Sequence, residues 1–200
     1  MRILALILTL IAAPAWATQE YVLPTLFDVT GVAPDDVLNI RDAPSASGAI
    51  IGTLAHDATG IEVIGETRGW AQVNTGERSG WVHPRYLMYR TDVWPAEGLP
   101  ENFSCYGTEP FWSLRVDGDA LIYDQPDGTD PPAPIRHIFS TGAFRDPTRA
   151  VLAGDMTLFA TPKLCSDGMS DRLFGLEAML IRGGAAPRMM TGCCSIAPPR

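Results

Sequence analysis

Hydrophobic positions in this chain alternate with polar ones over short stretches and almost never recur at helical spacing. In "LNIR", Leu38 and Ile40 alternate with Asn39 and Arg41, which gives a strand one buried face. Ile61 and Val63, then Trp70 and Val73, then Trp81 and Val82 mark further short strands. Gly, Pro, Asn and Asp separate such runs about every ten residues, the spacing of small β-barrels and sandwiches. Past residue 102 the runs continue. Val116-Asp117-Gly118-Asp119 lies between two apolar stretches and signals a hairpin. "IRHIFSTGAF", "DMTLFATP", "LFGLEAMLIR" and "RMMTGCCS" bring the predicted total there to six or seven strands. "DPTRAVLAG" has room for one helical turn at most. The pattern predicts an all-β chain: a small five-stranded barrel without free edges, then an antiparallel β-barrel or sandwich.

The N-terminal segment is patterned differently. Arg2 precedes an apolar run from Ile3 to Ala13 broken only by Thr9, and Pro14 and Ala15-Trp16-Ala17 follow. A basic start, a short apolar stretch and an A-x-A site predict a signal peptide over 1–17, with Thr18 first after cleavage. The run is too short for a stable anchor, and no later stretch reaches the roughly 18 apolar residues of a membrane-spanning helix. The expected location is periplasmic or secreted, with no membrane anchor after signal cleavage. "TDVWPAEGLPE", residues 91–101, carries two prolines, a glycine and three acids and reads as a linker. It divides the chain into a first unit over 24–90 and a second over 102–196.

Charge and cysteine placement narrow the picture. The chain holds 15 basic and 23 acidic residues, a net −8. Residues 18–101 carry 5 basic against 12 acidic groups, or −7; residues 102–200 carry 9 against 11, or −2. A phosphate-binding surface needs the opposite sign, which argues against nucleic acid as a partner. The −7 favours a ligand with free amines. Cys105, Cys165, Cys193 and Cys194 all lie in the second unit, and an even count in an exported chain predicts two disulfides. Cys193 and Cys194 are neighbours in a predicted strand and point to opposite faces, so each pairs elsewhere. Two connectivities remain, both tying Cys165 to that strand. The preferred one joins Cys165 to Cys193 and Cys105 to Cys194. "KLCSDGMSD", residues 163–171, then reads as a stapled turn with Asp167 bonded to nearby backbone N–H groups.

In the first unit, "LNIRDAPSASG", "IIGTL", "RGWAQV" and "SGWVHPRYL" occur in that order. Together they resemble the bacterial SH3-like domain over about 24–90. The resemblance implies a small barrel that serves as a recognition module, for cell-wall peptide or for an envelope protein. Trp70, Trp81 and Tyr86 are candidates for an aromatic groove that takes an extended peptide. Trp70 and Trp81 each follow a glycine, and in such barrels that placement favours core packing. Tyr86, Tyr89 and Arg41 remain as the predicted binding residues.

The second unit carries Cys105 with Gly107 to Trp112, then Cys165 with Asp167, Met169 and Ser170, then Gly192-Cys193. This is similar to a family of bacterial envelope proteins with no agreed function, and it implies a small antiparallel β-domain without assigning an activity. The alternative is a cell-wall hydrolase or inhibitor with its site in this unit. A cysteine peptidase would pair a thiol with His137, but that histidine precedes Cys165 in the chain. Cys105, Cys165, Cys193 and His137 lack the close Cys pair of a zinc site. Asp167 and Asp171 lack the further oxygens of a calcium loop. Glu109 reads as a turn residue before Pro110, with Phe111 and Trp112 entering the core. No catalytic residue, metal or cofactor is expected.

Overall fold

A computed structural model describes residues 21–198. The predicted signal peptide over 1–17 and its predicted cleavage site lie outside the described residues. The first unit holds β1 (Thr25–Val29), β2 (Val37–Arg41), β3 (Ile50–Ala55), β4 (Ile61–Val63), β5 (Gly65–Thr67), β6 (Trp70–Thr75), β7 (Arg78–Val82), a 3-10 turn at Pro84–Tyr86 and β8 (Leu87–Tyr89). These form two antiparallel sheets, ordered β3-β2-β7-β6-β5 and β4-β1-β8. Only Ile64 separates β4 from β5, and its N–H donates to the Gln72 carbonyl at 3.0 Å, so one bent strand serves both sheets. Eight named strands, seven if β4–β5 counts as one, stand where five were expected, and β3 and β8 remain as sheet edges.

Strand parity corrects two core expectations. Ala71, Val73 and Val82 fill the first core beside Leu38, Ile40 and Val63. Successive side chains on a strand leave opposite faces. Trp70 and Trp81, each next to one of these core residues, are turned to the other face and stay half-buried. Strand β1 escaped the sequence reading because it shows no alternation. Leu26 belongs to the second unit's core while Phe27 and Val29 belong to the first's, so both faces are buried.

The second unit holds β9 (Ser104–Thr108), β10 (Phe111–Asp117), β11 (Ala120–Gln125), β12 (Gly128–Thr129), β13 (Ala133–Ser140), β14 (Arg149–Ala153), β15 (Met156–Ser166), β16 (Leu173–Arg182) and β17 (Arg188–Ser195). The order β10-β9-β17-β16-β15-β14-β13-β11 is closed by β10 pairing with β11, which makes an eight-stranded antiparallel barrel with β12 appended. Asp117 pairs with Ala120 around Gly118-Asp119, the two-residue hairpin that the sequence signalled. Strand β14 occupies "RAVLA", where no strand was expected; Arg149, Val151 and Ala153 are buried and Ala150 and Leu152 are half-buried.

Parity also separates Phe111 from Trp112. Trp112 is 4 % exposed in the barrel core, whereas Phe111, expected beside it, is 54 % exposed on the outer wall. The indole lies over two glycines. A Cβ on Gly107 would fall 1.9 Å from Trp112 Nε1, and one on Gly192 would meet the Tyr106 carbonyl at 2.1 Å and Trp112 Cζ2 at 2.9 Å. Glycine is required at both positions for that ring to fit.

Both disulfides of the preferred connectivity are present, Cys105–Cys194 and Cys165–Cys193. Cys105 and Cys194 face each other directly across β9 and β17 inside the barrel. The second bridge joins β15 to β17, strands that are both paired with the intervening β16. It holds the turn after β15 close to β9, where Thr108 Oγ1 donates to the Asp167 carbonyl at 3.1 Å.

The segment read as a linker is packed. Val93 is buried in the second core, and Trp94 Nε1 donates to the Pro24 carbonyl at 2.8 Å. The buried Arg149 donates to the carbonyls of Pro95 at 2.7 Å and Gly98 at 3.1 Å. Further bonds join the two units directly. Asn74 Nδ2 donates to the Leu173 carbonyl at 2.7 Å, and the Ser79 N–H to the Asp171 carbonyl at 3.1 Å. Glu62 accepts from Ser195 Oγ at 2.6 Å and from the Ile196 N–H at 3.1 Å.

Candidate functional site

Trp70, His83 and Tyr86 line one groove of about 470 Å³ on the first unit, with Tyr86 also packed against that unit's core. Arg41 comes from the end of β2, Trp70 from the start of β6, and His83, Arg85 and Tyr86 from the 3-10 turn after β7. The turn is fixed locally. Pro84 opens it, His83 Nδ1 accepts from the Arg85 N–H at 3.3 Å, and the Tyr86 N–H donates to the His83 carbonyl at 3.1 Å. The Tyr86 carbonyl in turn accepts from the Thr30 N–H at 2.9 Å.

The rings form a short run. Trp70 meets His83 edge-on with centroids 5.3 Å apart, and His83 meets Tyr86 at 6.4 Å. The Arg85 guanidinium lies 4.4 Å over the Tyr86 ring, a cation–π contact, and also donates to the Tyr86 hydroxyl. Arg41 Nη1 donates to the Gly48 carbonyl at 2.7 Å, which fixes the loop between β2 and β3 against the groove. Asp36 is the one acid among the described lining residues. Two arginines against one aspartate make the groove locally cationic although its unit carries −7. The charge sum of the unit, which favoured an amine-bearing ligand, does not describe the groove.

Of the three predicted binding residues, the structure brings Arg41 and Tyr86 together and sets Tyr89 apart. Tyr89 packs against Tyr21 at 5.0 Å and Phe27 at 5.7 Å, with the Arg145 guanidinium 5.2 Å from its ring. Trp70, His83 and Arg85 were missed as groove residues. The signal was available: Trp70 lies one residue from Ala71 and three from Val73, so it cannot share their inward face.

The second unit has its own cleft of about 430 Å³ on the outer wall, between β9–β10–β11 and the turn after β15. Tyr106, Phe111, Met169 and Phe174 give it an apolar lining. Its acids are engaged in structural bonds. Asp124 pairs with Arg115 at 3.0 Å and accepts from Thr129. Asp167 Oδ1 accepts from the N–H groups of Met169 at 3.0 Å and Ser170 at 3.1 Å. That is the stapled turn expected of "KLCSDGMSD". All four thiols are bridged, and His137 packs on Phe139 with centroids 4.1 Å apart. Among the described residues no group of three His, Cys, Asp or Glu side chains gathers as for a metal ion. The fully buried acid lies instead at the junction of the two units. Burial raises the pKa of Glu62, partly offset by hydrogen bonds from Ser195 and Ile196 and by the charge of Arg172.

Fold and groove together define the first unit as an SH3-like β module with a peptide-scale aromatic groove. Residues 36–88 match the bacterial SH3 domain family. That span includes Arg41, Trp70, His83, Arg85 and Tyr86, and stops short of Tyr89 and of the second barrel. The match suggests a cell-wall-binding module, and two disulfides suggest an extracellular or periplasmic setting. No helix among the described residues is long and apolar enough to cross a membrane. No curated protein matches the chain, and no solved structure matches it.

Proposed function

We propose that this is a non-enzymatic envelope protein, periplasmic or secreted, that recognises cell-wall peptide through the groove of its SH3-like unit. The observation that carries the reading is the run Trp70–His83–Tyr86 flanked by Arg41 and Arg85. Flat rings accept an extended backbone and its apolar side chains, and two guanidiniums favour carboxylates. Wall peptides are short, extended and carboxylate-bearing. The second barrel, similar to bacterial envelope proteins in its cysteine and Gly-x-Glu-Pro-Phe-Trp pattern, acts here as a rigid platform. Its motif residues have structural roles in this chain: Gly107 and Gly192 admit Trp112, and Asp167 builds a turn.

The test is co-sedimentation of the protein with intact sacculi at two salt concentrations. Wild type should pellet with the wall, less so at high salt, because exposed charges are screened over roughly 8–10 Å at physiological ionic strength. Tyr86→Ala and Trp70→Ala should each weaken retention about tenfold, since an aromatic contact of this kind contributes on the order of 1–2 kcal/mol. Arg41→Ala should weaken it and flatten the salt dependence. Retention unchanged in all three variants would move the function elsewhere in the chain.

A further inference from the structure

The cleft on the second barrel is shaped by strand parity and by the stapled turn. Cys105 and Gly107 face inward on β9, so Tyr106 between them faces out. Phe111 faces out beside the inward Trp112 in the same way. Against this wall stands the turn after β15, held by the Cys165–Cys193 bridge and by Thr108 on the Asp167 carbonyl. The turn brings Met169 and Arg172 to the same cleft. Tyr106, Phe111 and Met169 are 42, 54 and 66 % exposed. The buried Phe174 packs on Tyr106 with centroids 6.3 Å apart. The result is a concave apolar surface of about 430 Å³, within the roughly 300–1,000 Å³ of small-molecule sites.

The polar groups of this cleft are unevenly satisfied. Both acids are engaged, Asp124 by Arg115 and Thr129, and Asp167 by the N–H groups of Met169 and Ser170. The donors are not. Among the described residues three buried polar side-chain atoms have no hydrogen-bond partner, and Trp112 Nε1 and Arg172 Nε are two of them. Both residues line the cleft. The Arg172 guanidinium lies 5.2 Å from the Phe174 ring centroid, and among the described residues no carboxylate pairs with it. Glu62, the buried acid that feels its charge, is bonded instead to Ser195 and to the Ile196 N–H. A buried donor without an acceptor costs free energy. An arginine held half-buried on a ring, with no acceptor of its own, suits an incoming carboxylate.

We propose that this cleft binds a small amphipathic carboxylate, its apolar chain among Tyr106, Phe111 and Met169 and its head on Arg172. The apolar lining selects the chain, and the unpaired guanidinium selects the head. Strand pairing argues against a peptide as the occupant. β9 is paired on both sides, by β10 and β17, and β10 is paired by β9 and β11. An extended backbone therefore finds no free strand edge at this wall. The site is independent of the groove on the first unit, since no residue lines both.

Titration of the purified protein with decanoate, decanol and decyltrimethylammonium tests this, followed by the indole N–H signals of isotope-labelled tryptophan. Decanoate should shift the Trp112 signal and leave that of Trp70 in place. It should bind about tenfold more tightly than decanol, the worth of one charge-assisted hydrogen bond, and the cation should bind most weakly. Arg172→Gln should bring decanoate to the level of decanol and leave decanol binding unchanged, which shows the cleft to be intact. Phe111→Ser and Met169→Ser, at exposed positions, should weaken decanoate and decanol alike, each about fivefold through lost apolar contact. N-acetyl-Leu-Leu, which carries its carboxylate on a peptide, should bind more weakly than decanoate. Equal binding of the cation and decanoate, an Arg172→Gln variant that still prefers decanoate, a tighter fit for the peptide, or a Trp112 signal unmoved at millimolar decanoate would each overturn the proposal.

Discussion

Among the described residues, the first unit encloses ten buried hydrophobic side chains with no covalent tie, whereas the core built mainly by the second encloses nineteen and is tied by two disulfides. Small cores leave little margin over chain entropy, and a unit of this size alone is marginal. The contrast is softened at the junction. Leu26 of the first unit is buried in the second core, Val93 of the intervening segment joins it, and Glu62 accepts its hydrogen bonds from the end of β17 and the residue after it. The smaller barrel thus borrows stability from the larger. Groove and covalent support are separated in this chain: the proposed binding surface sits on the unit without bridges.

The largest test breaks the support. Replacing Cys105 and Cys194 together by alanine removes a cross-link between residues 89 apart. The chain-entropy account predicts a loss of about 4–5 kcal/mol. Because the units share Leu26 and Glu62, both should melt together in one lowered transition by calorimetry. An unchanged melt of the first unit would show it to be self-sufficient.

Glu62→Ala attacks the junction itself. It strands the Ser195 hydroxyl and the Ile196 N–H in a buried place, at roughly 2–4 kcal/mol. The acid also makes the junction pH-dependent. Its folded pKa lies above the ordinary 4.5, so its contribution is fully present below about that pH and is lost as pH rises through the folded value. Denaturant titrations above pH 4.5 should therefore show wild type losing ground to Glu62→Gln as pH increases. Parallel curves for the two proteins would contradict this.

Arg149→Lys probes the packed 91–101 segment. Lysine cannot reach the carbonyls of Pro95, Gly98, Asp146 and Thr148 at once, and about 2–3 kcal/mol should be lost. Faster proteolytic cleavage between 91 and 101 is the readout. The smallest effect is expected of Asp167→Ala, about 1–2 kcal/mol from two backbone bonds, with sacculus retention unchanged because the turn lies outside the groove.

The β class and the hairpin at Gly118 were legible because each depends on local spacing; for the disulfides, spacing excluded only the adjacent Cys193–Cys194 bridge and left two connectivities open, between which the fold decides. Ser195 and Glu62, 133 residues apart, meet only through tertiary packing, and no periodicity announces them. Strand β1 was illegible for the opposite reason: burial on both faces erases alternation. The packing of 91–101 was not legible because proline and glycine mark turns whether or not a segment is free; Arg149, the residue that binds it, lies 51 residues beyond Gly98. Of the candidate site, Tyr86 and Arg41 were expected to bind and the fold places both at the groove, while Trp70 was set aside by expecting a large aromatic to be interior.

Strand β17 follows the other seven barrel strands in chain order, yet it carries a partner for both bridges, closes the barrel against β9, and presents Ser195 to Glu62. During synthesis or translocation, everything upstream must wait as an open sheet with β9 and β16 unpaired on the closing side. Oxidation cannot capture a partly built barrel correctly, because Cys105 and Cys165 have only each other until β17 emerges. A bridge between those two would be the characteristic misfolding product, and its repair would fall to whatever thiol exchange the compartment provides.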